Sequence, residues 1–205
     1  MGLTDTANRP ARRGRPGYDQ EAVLRIAVEA FNEYGYDATS MGKLADRLGI
    51  SKSAIYHHVP SKEDLLRLAL DEALIPLEAV IAEVRSHEGT ADERLEFFLR
   101  ATFRILLDKR SYVTLLLRLR GNTELERQAL QRRRAMDRQL AELVTAAQSD
   151  GMLRADLEPR ATARLLFGLI NSVVDWYRTD GPINGTELEE QAVSLLFNGL
   201  HTVNA

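Results

Sequence analysis

The chain has 205 residues, 44% hydrophobic and 28% charged, with a formal net charge of −3, as in an ordinary globular protein. No apolar run approaches the roughly 20 residues of a membrane span and no signal-peptide pattern opens the sequence, so a cytoplasmic protein without membrane partners is expected. With no cysteine, disulfides, thiolate nucleophiles and thiolate metal sites are excluded. Charge is unevenly spread: residues 1–62 hold nine Lys/Arg against seven Asp/Glu, and the rest of the chain 18 against 23. A mildly basic end on an acidic body suits a nucleic-acid reader joined to a domain with another task.

Residues 1–17 combine Arg9, Arg12, Arg13 and Arg15 with Pro and Gly and show no apolar period, the pattern of a flexible basic arm. Arg13-Gly14-Arg15-Pro16 is similar to the core of an AT-hook, which would place Arg13 and Arg15 in a minor groove beside the DNA-binding domain. The other reading is a solvated tail. A first helix is expected over about Asp19–Tyr34, with Val23, Ile26, Ala27, Ala30, Phe31 and Tyr34 on its core stripe.

From Thr39 to Leu65 the spacing tightens. Met41, Leu44, Ala45 and Leu48 make one apolar stripe, Gly49 supplies a residue that tolerates positive φ, and Ser51 caps a further short helix to about His58. Two short helices around a Gly-containing turn form a helix-turn-helix. With Ile55 and Val59 facing inward, Lys52, Ser53, Tyr56 and His57 share the outer face, where Lys suits guanine O6/N7 and Ser and Tyr suit base edges or phosphate. Thr39 and Ser40, at the start of the preceding helix, and Lys43 and Lys62 are candidate phosphate contacts. Adjacent His57 and His58 point apart and have no carboxylate at ligand spacing, so no metal is expected.

Phe31 through Gly35, Ala38-Thr39-Ser40, Leu44-Ala45, Leu48-Gly49-Ile50-Ser51, Ile55-Tyr56-His57-His58-Val59 and Ser61-Lys62-Glu63-Asp64-Leu65 together resemble the TetR family of transcriptional regulators. The match covers residues 18–65. Leu44 stands where the family usually has Ile, and Val59-Pro60 replaces the usual Phe and a variable residue. The resemblance implies an all-α homodimer that binds a palindromic double-stranded operator and is released by a small molecule.

Ser61 caps a fourth helix to about Arg85, which Pro76 should kink or break. Thr90-Ala91-Asp92-Glu93 is a capping box opening a helix to about Leu107 that carries Phe97 and Phe98. Ser111 caps another, apolar on several sides (Tyr112, Val113, Leu115, Leu116, Leu117, Leu119) and interrupted by Arg118 and Arg120, which are read either as surface charges or as anion clamps. A long helix from Thr123 to about Asp150 bears Arg132-Arg133-Arg134 with Arg138, read as a solvated face or, alternatively, as contacts for an anionic ligand. Pro159 begins a strongly apolar helix to about Thr179. Thr186-Glu187-Leu188-Glu189, a further capping box, opens the last one.

The expected architecture is therefore all-α: a basic arm (1–17), a three-helix DNA-binding domain with the helix-turn-helix (18–65), and a helical bundle for ligand binding and dimerisation (66–205). Leu165, Leu169 and Val173 on one C-terminal helix and Leu188, Ala192, Leu195, Leu196, Gly199 and Leu200 on the other are assigned to a dimer interface, since two-fold symmetry doubles operator readout. Apolar Phe98, Leu116, Phe167 and Trp176 with polar Arg118, Asn171, Tyr177 and Arg178 are candidate effector-lining residues, suiting an apolar or acyl molecule. Asn171 with Asp175-Trp176-Tyr177-Arg178 also resembles family members that answer to acyl-CoA. Trp176 and Tyr177 are read alternatively as interface residues. No nucleophile-base order, phosphate loop or metal cluster is present, so neither an enzyme nor a cofactor is expected. The rival to a ligand-released repressor is a DNA-binding protein controlled by a protein partner, which would need a solid C-terminal core.

Overall fold

Asp19, in extended backbone, accepts the Ala22 N–H on its carboxylate at 2.8 Å and so opens the first helix of a computed structural model that describes residues 19–200. The basic arm, with Arg13 and Arg15, lies outside the described residues. Helix α1 (Gln20–Tyr34) buries Val23, Leu24, Ala27, Val28, Ala30 and Phe31, whereas Tyr34, expected in that stripe, is 53% exposed at the last turn.

Helix α2 (Met41–Leu48) is capped by Ser40 and ends at Gly49, whose φ of +66° is the left-handed conformation glycine adopts without strain. Helix α3 (Lys52–His58) follows after three residues, its first turn capped by the Ser51 hydroxyl. Met41, Leu44, Ala45, Leu48, Ile55 and Val59 close over α1 as one core.

Helix α4 (Lys62–Ser86) does not break at Pro76. Burial on both sides holds it as one element, with Leu65, Leu66, Ala69, Leu70, Ala73 and Leu74 before the proline and Val80 and Val84 after it. The boundary expected at Leu65 falls inside this helix, which is shared between α1 and the C-terminal bundle of α5 (Ala91–Asp108), α6 (Arg110–Leu117) and α7 (Glu124–Ser149).

Helix α6 is shorter than expected. It starts two residues earlier, capped at Lys109 in place of Ser111, and ends at Arg118, so Leu119 and Arg120 belong to the following loop. Buried Glu126 shapes that loop: one carboxylate oxygen accepts the N–H groups of Arg120, Gly121 and Asn122 at 3.3, 2.8 and 3.0 Å. Helix α8 (Pro159–Trp176) ends at Tyr177, short of the expected Thr179. For α9 (Gly185–Leu200), Asn184 caps the start, its side-chain oxygen accepting from Thr186 N–H at 2.8 Å, in place of the expected Thr186 box. Helix α9 packs on α5, fastened by buried Glu189, which takes a two-point ion pair from Arg104 (2.8 Å each) and a longer one from Arg100 (3.4 Å).

Candidate DNA-reading surface and effector cavity

Helical period places the α3 side chains as the sequence predicts. Ile55 and Val59 are buried at 0% and 1% exposure, and Lys52, Ser53, Tyr56 and His57 lie exposed on the other side. None of these four is tied to another side chain among the described residues, which leaves a donor-rich face of lysine, hydroxyl, phenol and imidazole.

The flanking phosphate candidates divide. Ser40 is exposed and its hydroxyl, while accepting from Lys43 N–H at 3.2 Å, keeps a proton to donate. Lys43 is exposed, with Nζ on the Ala38 carbonyl at 2.9 Å. Thr39 is turned inward: it is 1% exposed and its hydroxyl donates to the Gly35 carbonyl at 2.8 Å, so it shapes the turn before α2. Lys62 is half-buried, donating to the Tyr36 carbonyl at 3.0 Å with its ammonium 4.2 Å from the centre of the Tyr36 ring. Tyr34 and Arg47, outside the expected set, share a surface depression with Lys43. Arg47 is held there by Glu33, which it pairs at 2.5 Å, and Glu29. Arg47 lies four residues after Lys43, the helical spacing that would have found it.

A second site lies inside the bundle. A cavity of about 310 Å³ is enclosed by Leu77 of α4, Thr102 of α5, Val113, Leu116 and Leu117 of α6, Met136 of α7 and Phe167 and Gly168 of α8, with Arg133, Asp137, Arg164 and Asn171 as polar groups. An apolar wall with a few polar groups is the usual make-up of a small-molecule site. Thr102 is 4% exposed and its hydroxyl has no partner, whereas Thr114, Thr145 and Thr162 each bond the carbonyl four residues back at 2.8–3.0 Å.

Of the expected lining residues, Leu116, Phe167 and Asn171 are in this wall. Phe98 stands behind it, its ring edge-on to Phe167 with centroids 6.0 Å apart, and lines a smaller pocket between α4, α5 and α7. The other four lie elsewhere. Arg118, at the end of α6, points to α1. Trp176 is 49% exposed, Tyr177 is buried with its carbonyl accepting from Arg110, and Arg178 is exposed.

Outside the cavity, a more open groove of about 730 Å³ runs between α7 and the start of α8, lined by Arg134, Arg138, Arg160 and Arg164 with Asp137, Glu142 and Glu158. Asp137 and Arg164 line both spaces and so form their common wall. Arg160 and Arg164 act on the Glu158 carboxylate through their charge. Glu158 caps α8; its bonds from the Arg160 and Ala161 N–H groups hold its carboxyl below the usual glutamate range.

Helix α6 connects the two sites. Its inner side supplies Val113, Leu116 and Leu117 to the cavity. At its ends, the Ser111 carbonyl accepts from Asn32 Nδ2 at 2.8 Å, and Arg118 donates to the Asn32 carbonyl at 2.7 Å. In the loop that follows α6, Asn122 donates to the Asp37 carboxylate at 3.2 Å.

The residues assigned to a dimer interface also divide. Leu165 and Leu195 are 75% and 66% exposed, Gly199 is exposed, and Leu169 and Leu196 are half-buried. Trp176 joins Leu165 and Leu169 on the outer stripe of α8. Val173, Leu188, Ala192 and Leu200 are covered by the chain's own core.

No helix among the described residues is long and apolar enough to cross a membrane, and no cluster of His, Cys or acidic side chains there has metal-binding geometry. Residues 23–69 match the bacterial regulatory proteins of the tetR family, and residues 88–200 match the tetracyclin repressor-like C-terminal domain. The fatty acid metabolism regulator protein of Bacillus subtilis is 26% identical over 93% of this chain and 98% of its own. A TetR-family regulator from Streptomyces coelicolor A3 superposes with a TM-score of 0.81 at 46% identity, over 88% of this chain and 91% of its own. AibR, solved in complex with isovaleryl coenzyme A and operator DNA, superposes with a TM-score of 0.71 at 23% identity, over 87% and 97% of the two chains. With a helix-turn-helix at one end and a family-matched helical bundle filling more than half its length, the chain belongs to the TetR family of DNA-binding transcriptional regulators.

Proposed function

We propose that the protein is a homodimeric repressor, released from a palindromic operator by an acyl thioester of the acyl-coenzyme A class. The observation that carries this reading is that Asp137 and Arg164 line both a partly open cavity with apolar walls and an arginine-lined groove beside it. A ligand with an apolar tail and an anionic head fits the two spaces together, its tail among Leu77, Leu116, Met136 and Phe167 and its head beside Arg134, Arg138 and Arg160. The cavity is at the small end of the roughly 300–1,000 Å³ range of such sites, which favours short or branched acyl groups. A fatty-acid regulator among the relatives and isovaleryl coenzyme A bound to AibR support the same class.

On DNA, Lys52, Ser53, Tyr56 and His57 read base edges while Ser40 and Lys43 hold the backbone. The outer stripe of Leu165, Leu169, Trp176, Leu195, Leu196 and Gly199 joins two copies, so that the two α3 helices meet half-sites about 34–36 Å apart. Residues 1–17 add Arg13 and Arg15 to an adjacent minor groove. The protein works in the cytoplasm, with its DNA. An effector lowers operator affinity by binding better to a dimer whose α3 helices no longer match that spacing. The cavity favours this over control by a protein partner, which needs no such space.

Native mass spectrometry of the full chain with isovaleryl-, hexanoyl- and palmitoyl-coenzyme A, and with coenzyme A alone, tests the proposal. A dimer taking one short acyl thioester per protomer, in preference to palmitoyl-coenzyme A, is expected. Binding of none of the thioesters would refute the effector assignment, and a monomer would refute the interface.

A further inference from the structure

Helix α4 carries its proline in an unusual setting. Pro76 has no N–H, so the Glu72 carbonyl loses its helical partner, and the ring crowds that same carbonyl. This is the weakest turn of a 25-residue helix whose first turn is bonded to Tyr36 and whose second half lines the bundle. A helix with such a gap bends there first.

The gap is bridged from outside. Arg132 of α7 makes two bonds to the Glu78 carboxylate, at 2.7 and 2.8 Å, and one to Asp71 at 2.7 Å. Asp71 and Glu78 are seven residues apart and share a face of α4, one before Pro76 and one after it. The guanidinium is about one-third exposed, so each pair taken singly is modest, while a planar fork held at three points is stronger than its parts. Arg132 therefore departs from the solvated face that its Arg-Arg-Arg run suggests. The bridge adjoins the cavity: Leu77 follows Pro76, Arg133 follows Arg132, and both line it with Met136.

We infer that Pro76 is the hinge of α4 and that Arg132 is the latch holding it in one bend by tying Asp71 to Glu78, a device that does not rest on the effector reading under Proposed function. Hinge and latch are properties of the ligand-free chain.

Hydrogen-exchange mass spectrometry of the full protein, without DNA or effector, tests them independently of that reading. Arg132→Met should speed exchange over residues 73–84 by about fivefold while residues 95–106 of α5 stay unchanged. Adding Pro76→Ala, which restores the missing N–H, should return residues 73–84 to the wild-type rate. Glu78→Gln, which removes the two-point charge pair and keeps the side-chain shape, serves if Arg132→Met unfolds, and should give the same local pattern. Unchanged exchange over 73–84 in the variant that folds would overturn the latch. Failure of Pro76→Ala to reverse the change would overturn the hinge.

Discussion

Arg118 donates to the main-chain carbonyl of Asn32 at 2.7 Å, and the Asn32 side chain donates in turn to the Ser111 carbonyl at 2.8 Å. Thus a single residue of α1 is gripped at both ends of α6, the helix whose other side walls the cavity. Arg118→Ala keeps that wall intact, so effector affinity should stay within about twofold while the effector-driven fall in operator affinity shrinks by about fivefold. Calorimetry with the effector and fluorescence anisotropy with labelled operator measure the two quantities. A full fall in operator affinity would show that the grip transmits nothing.

Lys52 and Tyr56 leave α3 on the side opposite buried Ile55. Lys52→Ala and Tyr56→Ala should each weaken specific operator binding by about 1–3 kcal/mol without lowering the melting temperature. Salt titrations separate their roles. A phosphate-contacting lysine lowers the slope of log K against log salt by about one when removed, and a base-reading one leaves it nearly unchanged.

Leu165 is 75% exposed in the single chain, so a charge there costs the fold little. If the proposed dimer forms through this stripe, Leu165→Glu, or Leu195→Glu on α9, should give a folded monomer by sedimentation velocity. A dimer that survives both would move the interface away from α8 and α9.

Glu158 illustrates the expected response to acid. Its carboxyl titrates below the usual range because the Arg160 and Ala161 N–H groups bond to the ionised form. A lowered folded-state pKa adds stability above the unfolded value of about 4.3, and that stability is lost as pH falls through the folded value. Glu158→Gln should therefore lower the melting temperature at neutral pH, and the gap to wild type should close below about pH 4. Calorimetric scans over that range decide it; a gap independent of pH would mean that the cap does not depend on charge.

The exposed face of α3 was legible because one short helix with two inward residues leaves its other side no choice. Ile55 and Val59, four apart, fix where Lys52, Ser53, Tyr56 and His57 go. Partners distant in sequence were not legible. Lys62 looks like a phosphate contact until Tyr36, 26 residues away, is seen to hold it, and Thr39 gives no sign that its hydroxyl belongs to Gly35. At the C-terminal end, the helices were found but not their sides. Val173 and Leu165 are equally apolar in the sequence, and only the packing of α5, α7 and α8 buries the first and exposes the second. The cavity was half-visible for the same reason: Leu116, Phe167 and Asn171 face it, while Arg133 was read as part of a solvated run and nothing in the sequence singled out Asp137 or Arg164.

The clasp between Lys62 and Tyr36 sets a mechanical ratio. Fourteen residues separate Lys62 from Pro76 along α4, an arm of roughly 20 Å at about 1.5 Å per residue. With the ammonium bonded to the Tyr36 carbonyl and seated over its ring, the tip of that arm is fixed to the turn between α1 and α2. A bend of about 5° at the proline then carries the tip about 2 Å. In the proposed dimer, two such arms moving oppositely would shift the two α3 helices by about 4 Å relative to each other, close to the roughly 3.4 Å between successive base pairs. On the proposed operator reading, so small an angle is enough to put the two half-sites out of step by one base pair.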